Sequence, residues 1–337
     1  METTTATAKK ESSLSKAKEW AKGLFLRKKG AEAIERRPKQ PKRKMSRMQK
    51  REEIAGWIFC SPLIIGLLLF TFVPMFCSLF WSFYHFDGFT LAPAGLYNFV
   101  HAFQDEEVGQ SALNTLIYAC VNIPLNLVLS YFLALLVNNA HKFTRVFRVL
   151  FYLPVVIPAV VSGLLWKDIF DPTFGIFNKI LNSIGLPSFP FFQEASTSMF
   201  SLILMGCWGI GGGMILWLSA FKNIPKDLYE SAKVDGANAF QRFANITIPM
   251  STPIIFFNLV TSVIGSLQYN GTLIFAPRSG RGYDNSLYLY GVKIYWEAMK
   301  SGNIGYASAL SWLLCIVISI LTFILFKTSK WVFYGGE

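Results

Sequence analysis

The sequence predicts an all-α integral membrane protein with six transmembrane helices and both termini in the cytoplasm. Of its 337 residues, 53% are hydrophobic and 15% charged, and the mean hydropathy of +0.39 is too apolar for a soluble domain of this length. Six stretches reach the roughly 20 mostly apolar residues that a helix needs to cross a hydrocarbon core about 30 Å thick. These runs are continuous, not alternating, and a helix satisfies its own backbone in lipid, so helices are favoured over a barrel.

The six predicted spans are, in chain order, residues 54–80, 112–137, 146–167, 199–221, 253–275 and 306–327. An even number of spans puts both termini on one side, and the connections then alternate between the two sides. Lys and Arg number 26 on the side of the termini and six on the other. Because basic residues collect on the cytoplasmic side, the termini and the hydrophilic loop 222–252 are expected there.

Residues 1–53 form a basic cytoplasmic tail with 17 Lys and Arg and seven acidic residues. Apolar residues between Leu14 and Phe25 would form one face of an amphipathic helix, which suits the anionic inner surface of a membrane. A solvated tail obeying the positive-inside rule fits the composition at least as well. No nucleic-acid role is expected, because no aromatic-basic recognition module follows the tail. Residues 331–337 form a short second tail on the same side.

The first span, 54–80, is followed by the aromatic run WSFYHF, which is typical of a membrane interface. The outer segment after it carries three adjacent carboxylates, Asp105, Glu106 and Glu107. These could be read as a metal or catalytic group. Adjacent positions point in different directions, however, and no His or Cys completes a site, so a solvated surface is expected.

Polar residues and helix breakers mark the next three spans. Asn122 and Asn126 in the second span are expected to face neighbouring helices. Pro154 and Pro158 predict a bend near the start of the third span, because proline removes a backbone donor. The glycine-rich run 207–213 in the fourth span would allow either close helix packing or a functional hinge. The five cysteines all fall inside predicted spans without metal or redox spacing, so they are expected to be small buried hydrophobes.

Asp, Glu, Lys, Arg and His are missing from every predicted span away from its ends. Proton-coupled pumps and many ion-coupled transporters need such groups at membrane depth. The chain contains no Gly-Lys dipeptide, hence no phosphate-binding loop, and no nucleophile-base pair or metal cluster. The chain is therefore not expected to be an enzyme, and its energy source is expected to lie outside it.

The hydrophilic stretch from Lys226 to Pro249 lies between the fourth and fifth apolar spans. Pro225 suits the first position of a helix, and Gly236 can take the left-handed conformation that ends one. A second short helix can begin near Asn238, and Pro249 should interrupt it as the fifth span starts. The pattern predicts a helix-turn-helix elbow held between two spans.

The same stretch resembles a known family. From residue 230 the chain reads ESA, three residues, G, nine residues and ITIP, which is similar to the cytoplasmic loop motif EAA, x3, G, x9, IxLP of binding-protein-dependent ABC importer permeases. Segments such as FRVLFYLPVVIPAVVSGLLWKDIF are similar to the carbohydrate-uptake class, and the likeness covers roughly residues 54–330. The residues expected to couple to an ATPase are Glu230, Ser231, Ala232, Asp235, Gly236, Ile246 and Pro249.

The resemblance implies the ABC importer permease fold and a non-catalytic permease subunit for an oligosaccharide or other sugar in a bacterial cell membrane. It implies as partners a second homologous permease subunit, an extracellular solute-binding protein and two ATPase subunits. No cofactor would be held by this chain, because ATP and Mg would be bound by the ATPases. The alternatives are an ion-coupled secondary transporter and an ABC permease for a non-sugar solute such as a glycerol-phosphate compound.

Candidate solute contacts fall on the fifth span. Amides and hydroxyls can exchange hydrogen bonds with sugar hydroxyls, and an aromatic ring can pack against an apolar sugar face. Hydrogen bonding between helices would explain the same residues. The candidates are Asn258, Ser262, Ser266, Tyr269 and Asn270.

Overall fold

The computed structural model describes residues 46–139 and 143–332 of the chain. The amphipathic stretch expected in the basic tail lies outside these residues, and so do five residues of the 331–337 tail. The chain divides into two units with a boundary between Phe70 and Thr71.

The unit that ends at Phe70 contains helix α1, Arg47–Leu67. A capping box starts this helix: the Gln49 amide donates to Ser46 Oγ at 3.2 Å, and the Ser46 amide donates to Gln49 Oε1 at 3.0 Å. A π-helical turn, Leu68–Phe72, crosses the unit boundary, and α2 follows as Val73–Trp81. This segment, Arg47–Trp81, is long and apolar enough to cross a membrane, as predicted for 54–80.

Helix α2 belongs to the second unit and is followed by a small hairpin that the all-α prediction did not contain. Strands β1, Tyr84–Phe86, and β2, Leu91–Pro93, pair antiparallel with Tyr84 opposite Pro93. Helix α3 follows as Tyr97–Gln104. The buried Asn98 side chain of α3 donates to the carbonyl oxygens of Ser82 and Tyr84, both at 2.9 Å, and so fixes the helix to the first strand.

Helix α4, Glu106–Asn139, is the second span and lies against most of the other spans. The third span is a pair of helices, α5, Thr144–Val156, and α6, Ala159–Ile169, bent by 96°. Ile157 is extended, as expected before a proline, and Pro158 has no amide hydrogen to continue the helix. The predicted bend is confirmed, but it lies in the middle of the span, not near its start.

The fourth span is also a bent pair, and α7, Ile176–Ser183, precedes it. Helix α8, Ala195–Gly206, continues through a 3₁₀ turn, and α9, Gly211–Asn223, follows at 44°. A Cβ at Gly211 would collide with the carbonyl oxygen of Phe151 on α5. The glycine run therefore provides the close helix approach considered from sequence, and the span bends at the same place.

The predicted elbow forms as two short helices, α10, Lys226–Val234, and α11, Ala239–Arg242. Pro249 does not interrupt the helix that follows, which contradicts the prediction. A π-helical turn, Phe243–Thr247, leads into α12, Ile248–Leu267, and Pro249 occupies the first turn of α12, where a missing amide hydrogen is tolerated.

The fifth span ends at Leu267, eight residues before the predicted limit of 275, and α13, Thr272–Phe275, is a separate turn. The chain continues through α14, Tyr290–Tyr295, into the last span, α15, Ile304–Lys327, close to the predicted 306–327. In the described part of the chain, four helices could each cross a membrane, and the number rises to six if each bent pair is one span. The count matches the six predicted spans.

None of the five cysteines is buried, contrary to expectation: Cys60, Cys120 and Cys315 are exposed, and Cys77 and Cys207 are half-buried. The helix surfaces that carry them are apolar over large areas, with many exposed Leu, Ile, Val and Phe side chains. A surface of this kind suits lipid, and in lipid a small apolar side chain has no need of burial inside the protein.

Candidate coupling loop and solute cavity

The turn between α10 and α11 is fixed by its caps. Gly236 has a φ of 78°, the left-handed conformation that favours glycine. The amide of Ala237 donates to the carbonyl of Ala232 at 2.9 Å, and that of Gly236 donates to Lys233 at 3.1 Å, which closes a Schellman motif. Asn238 then opens α11 with a capping box. The predicted roles of Gly236 and Asn238 in the elbow are confirmed.

Two contacts attach the loop to the helices. Tyr229 on α10 shares a hydrogen bond of 2.9 Å with Thr247, joining the first arm of the loop to the start of α12. The side chains of Tyr229, Phe243 and Ile246 pack on a buried cluster that contains Trp217 of α9. The elbow is therefore held on its inner side by apolar packing.

The outer side of the loop carries most of the predicted coupling residues. Glu230, Ser231, Asp235 and Gly236 are exposed, whereas Ala232, Ile246 and Pro249 are half-buried. Two apolar residues that sequence reasoning did not select are the most exposed large hydrophobic side chains of the loop, Val234 at 88% and Phe240 at 75%. In the sequence, both apolar residues lie within or beside the charged loop motif, and this position could have identified them as candidates. The outer surface of the loop therefore combines charged groups with exposed apolar side chains, as a protein-binding surface does.

A cavity of about 300 Å³ lies among α4, the bend of the fourth span and α12. Four of the five predicted solute residues line it: Asn258, Ser262, Ser266 and Tyr269. Asn270 does not line this cavity. It lines a separate recess with Gln268 and Ser311.

Helix α4 supplies the opposite wall, which sequence reasoning missed. Tyr118, Asn122, Asn126 and Ser130 all line the cavity, at a spacing of four residues that places them on one helical face. This spacing was visible in the sequence. Asn122 and Asn126 face the fourth span, as expected, since a Cβ at Gly206 would come 2.8 Å from Asn122 Oδ1. They also bond to each other, with Asn126 Nδ2 donating to Asn122 Oδ1 at 2.7 Å.

Hydrogen-bonding groups dominate the cavity, and none of its lining residues is Asp, Glu, Lys, Arg or His. The rings of Tyr118 and Tyr269 stack with centroids 5.2 Å apart. Gly209, Gly213 and Gly265 also line it, which leaves room for a bound molecule. Stacked rings beside amides and hydroxyls can accept a neutral polyhydroxylated molecule.

A buried cation lies away from the cavity. Lys293, with 3% of its side chain exposed, forms ion pairs of 2.8–2.9 Å with Asp105, Glu107 and Glu297. We call these four residues the Lys293 cluster. Arg281 pairs with Glu107 at 2.9 Å. The expected solvated surface is therefore wrong for Asp105 and Glu107, because both face α14.

The contacts within the Lys293 cluster shift the pKa values of Asp105, Glu107 and Lys293. Burial would raise the pKa of Asp105, but hydrogen bonds from Lys293 and Tyr306 outweigh it and hold that pKa below its ordinary value. Burial would lower the pKa of Lys293, but hydrogen bonds to Glu297, Glu107 and Asp105 raise it instead. Glu106 is exposed, as expected. Among the described residues no group of three or more His, Cys, Asp or Glu side chains could hold a metal ion.

Comparison with known proteins supports the loop motif. Residues 126–330 match the family "Binding-protein-dependent transport system inner membrane component". The chain is 40% identical over 301 residues to "Probable ABC transporter permease protein YesP" of Bacillus subtilis, covering 87% of this chain and 96% of that protein. It is 30% identical over 294 residues to "Lactose transport system permease protein LacF" of Rhizobium radiobacter, covering 85% and 97%.

Solved structures give the same fold. The chain aligns with a TM-score of 0.76 and 23% identity to a chain of a bacterial alginate ABC transporter in complex with its pentasaccharide-bound periplasmic protein, covering 85% of this chain and 98% of that one. The multi-pass helical architecture, the loop motif and the family match agree. This chain is a permease subunit of an ABC transporter and belongs to the family of binding-protein-dependent transport system inner membrane components.

Proposed function

We propose that this chain forms half of the translocation pathway of an ATP-driven importer for an oligosaccharide or another sugar. The observation that carries the proposal is the uncharged cavity lined by amides, hydroxyls and the stacked pair Tyr118 and Tyr269. Neutral hydrogen-bonding groups match the hydroxyls of a sugar, and an aromatic face matches its apolar ring face. Relatives named for lactose and for trehalose/maltose are consistent with this solute class.

The loop 226–249 would couple the chain to an ATPase subunit. Its exposed side chains, including Glu230, Val234 and Phe240, would dock in a cleft of that subunit. The whole importer would contain a second homologous permease, two ATPase subunits that bind ATP and Mg, and an extracellular solute-binding protein. The excess of Lys and Arg on the side of the termini supports a cytoplasmic position for the loop and both termini.

A phosphorylated solute is the alternative that the relatives raise. One relative, 30% identical over 274 residues, is the sn-glycerol-3-phosphate transport system permease protein UgpA of Yersinia pestis. A phosphate dianion calls for Arg, Lys or converging amide donors, and no cationic side chain lines the cavity. An ion-coupled secondary transporter is disfavoured because the interiors of the spans lack ionisable residues.

The proposal is tested by reconstituting the chain with a partner permease, ATPase subunits and a loaded binding protein in vesicles. Uptake of labelled neutral oligosaccharides should require ATP and should be lost in Glu230→Arg and Gly236→Pro. The matched control is Glu52→Arg, which makes the same charge reversal at an exposed position of α1. Uptake that follows an ion gradient without the ATPases, or undiminished uptake in both loop variants, would rule the proposal out.

A further inference from the structure

One buried residue touches both helices that flank the loop. Tyr131 lies on α4 and is 9% exposed. Its hydroxyl shares a hydrogen bond of 3.1 Å with Ser251 on α12, the helix that leaves the loop. Its ring meets Trp217 and Phe221 of α9, the helix that enters the loop, edge to face at 5.0 and 5.2 Å. Tyr131 therefore contacts the chain on both sides of the elbow.

The loop itself reaches the same position. The ring of Phe243, in the π-helical turn after α11, lies 6.2 Å from that of Tyr131. Thr247, which bonds the hydroxyl of Tyr229, is one helical turn before Ser251. Two hydrogen bonds one turn apart thus join α10 to the start of α12, and α12 to α4.

The cavity begins at the neighbouring residue. Ser130, next to Tyr131 on α4, lines the cavity and accepts a hydrogen bond of 2.9 Å from Nε1 of Trp217. Gly213, one turn before Trp217, lines the cavity as well, and a Cβ there would come 3.0 Å from Ser130 Oγ. The side chains around Tyr131 therefore line the cavity on one side and pack against the loop on the other.

We infer that Tyr131 is a positioning residue through which the loop and the cavity act on each other. The inference rests on the proposed function of the loop and the cavity, and Tyr131 itself touches neither solute nor ATPase. A close-packed buried cluster transmits a displacement of one member to the others because it has no free volume to absorb it. A directional hydrogen bond between Tyr131 and Ser251 keeps α4 and α12 in register as the loop moves.

The test separates this role from simple stabilisation. Tyr131→Phe keeps the ring and removes only the hydroxyl, and Ser251→Ala removes its partner. Tyr290→Phe is the matched control, because the buried Tyr290 hydroxyl donates to the Leu310 carbonyl at 3.1 Å, away from the loop and the cavity. All variants are made in the full chain and assembled with the same partner subunits.

The first readout is hydrogen exchange of the loop amides 226–242, which needs neither solute nor ATP. Tyr131→Phe and Ser251→Ala should exchange about two- to tenfold faster than the native chain, the range set by the loss of one hydrogen bond. Because the two residues share that bond, the double variant should exchange no faster than the faster single variant. Tyr290→Phe should leave loop exchange unchanged.

The second readout is the amount of solute imported per ATP hydrolysed, which a loss of stability alone does not change. Tyr131→Phe should lower this ratio about two- to tenfold, and Tyr290→Phe should not. Native exchange rates and a native ratio in Tyr131→Phe, or equal effects of Tyr290→Phe, would overturn the inference. A native complex without ATP-dependent uptake would instead refute the proposed function, and loop exchange would still decide the role of Tyr131.

Discussion

Gly211 lies directly against the backbone of Phe151. A Cβ added at Gly211 would collide with the Phe151 carbonyl oxygen and would come 3.2 Å from Cα of Tyr152. Helices α9 and α5 therefore approach at backbone distance at the point where the fourth span bends. Neither backbone can move aside as a flexible side chain could.

Gly211→Ala is expected to destabilise the chain by about 1–3 kcal/mol or more, because the added methyl group must displace backbone atoms. Gly212→Ala is the matched control: its Cβ would meet only Val155 methyl groups at 3.8 Å, an ordinary contact. The midpoint of thermal unfolding of the purified chain measures both. Equal midpoints for the two variants would show that the close approach does not contribute to stability.

Gly236→Ala is expected to loosen the elbow, since a φ of 78° costs an ordinary residue about 1–2 kcal/mol. No atom lies within 4 Å of an added Cβ at Gly236, so backbone strain is the whole cost. Gly236→Asn should be milder, because asparagine tolerates this conformation better. Limited proteolysis between α10 and α11 provides the measurement, with faster cleavage expected for Ala than for Asn. The same cleavage rate in all three chains would contradict the expected strain.

Tyr269→Ala is expected to raise the KM for a neutral oligosaccharide about tenfold, the loss expected when a stacked ring is removed from a binding site. Asn270→Ala removes the adjacent polar side chain, which lines a different recess, and should leave the KM unchanged. Uptake kinetics with several oligosaccharides compare the two. Identical kinetics in both variants and the native chain would assign both residues a structural role.

Lys293→Met leaves Asp105 and Glu297 without their cation, whereas Glu107 keeps Arg281, and the expected cost is about 3–5 kcal/mol at pH 7. Lys300→Met is the control, because Lys300 is exposed and belongs to no ion pair within the described residues. Thermal unfolding at pH 7 separates them. Equal stability of the two variants would contradict a stabilising role of the cluster.

The same variant should reverse the dependence of stability on pH. Asp105 has a lowered pKa in the native chain, so the stability it contributes is present above its ordinary pKa of 3.8 and is lost as the pH falls through the lower folded value. Lys293 has a raised pKa, so its contribution is full below its ordinary 10.5 and is lost only at more alkaline pH. The native chain should therefore lose stability on acidification below about pH 4.

In Lys293→Met the carboxylates repel one another, and protonation relieves that repulsion. Its stability is expected to rise as the pH falls from about 7 to about 5, where the native chain is unaffected. A series of unfolding midpoints over this range checks the sign. A parallel pH dependence of the two chains would show that the carboxylates are not coupled through Lys293.

Local sequence patterns were sufficient to predict the elements that are determined by residues close together in the chain. Hydropathy located all six spans because each span must be an apolar stretch long enough to cross the bilayer. The spacing from Glu230 to Pro249 located the elbow, and the left-handed Gly236 confirmed where its first helix ends. Helical periodicity placed Ser262 and Ser266 on one face, and the cavity lies against that face.

The features that sequence reasoning missed depend on contacts between residues far apart in the chain, or on where a helix ends or widens. Lys293 and Glu107 are 186 residues apart in the chain, so no local pattern could pair them. Asn270 was a candidate because the fifth span was predicted to continue to residue 275, but the helix ends at Leu267 and Asn270 lines a different recess. Pro249 was expected to break a helix that instead widens by one π-helical turn, with the Ile248 amide donating to Phe243.

That π-helical turn joins α11 and α12 without a break. Ala239–Leu267 is one unbroken helical segment of 29 residues, roughly 43 Å long at about 1.5 Å per residue. Its outer end is the exposed loop, and its far end reaches the stacked tyrosines. A tilt of about ten degrees about the loop end would displace the far end by about 7 Å. If Pro249 had broken the helix, a tilt at the loop would have changed the angle at the break and would not have moved the far end by this distance.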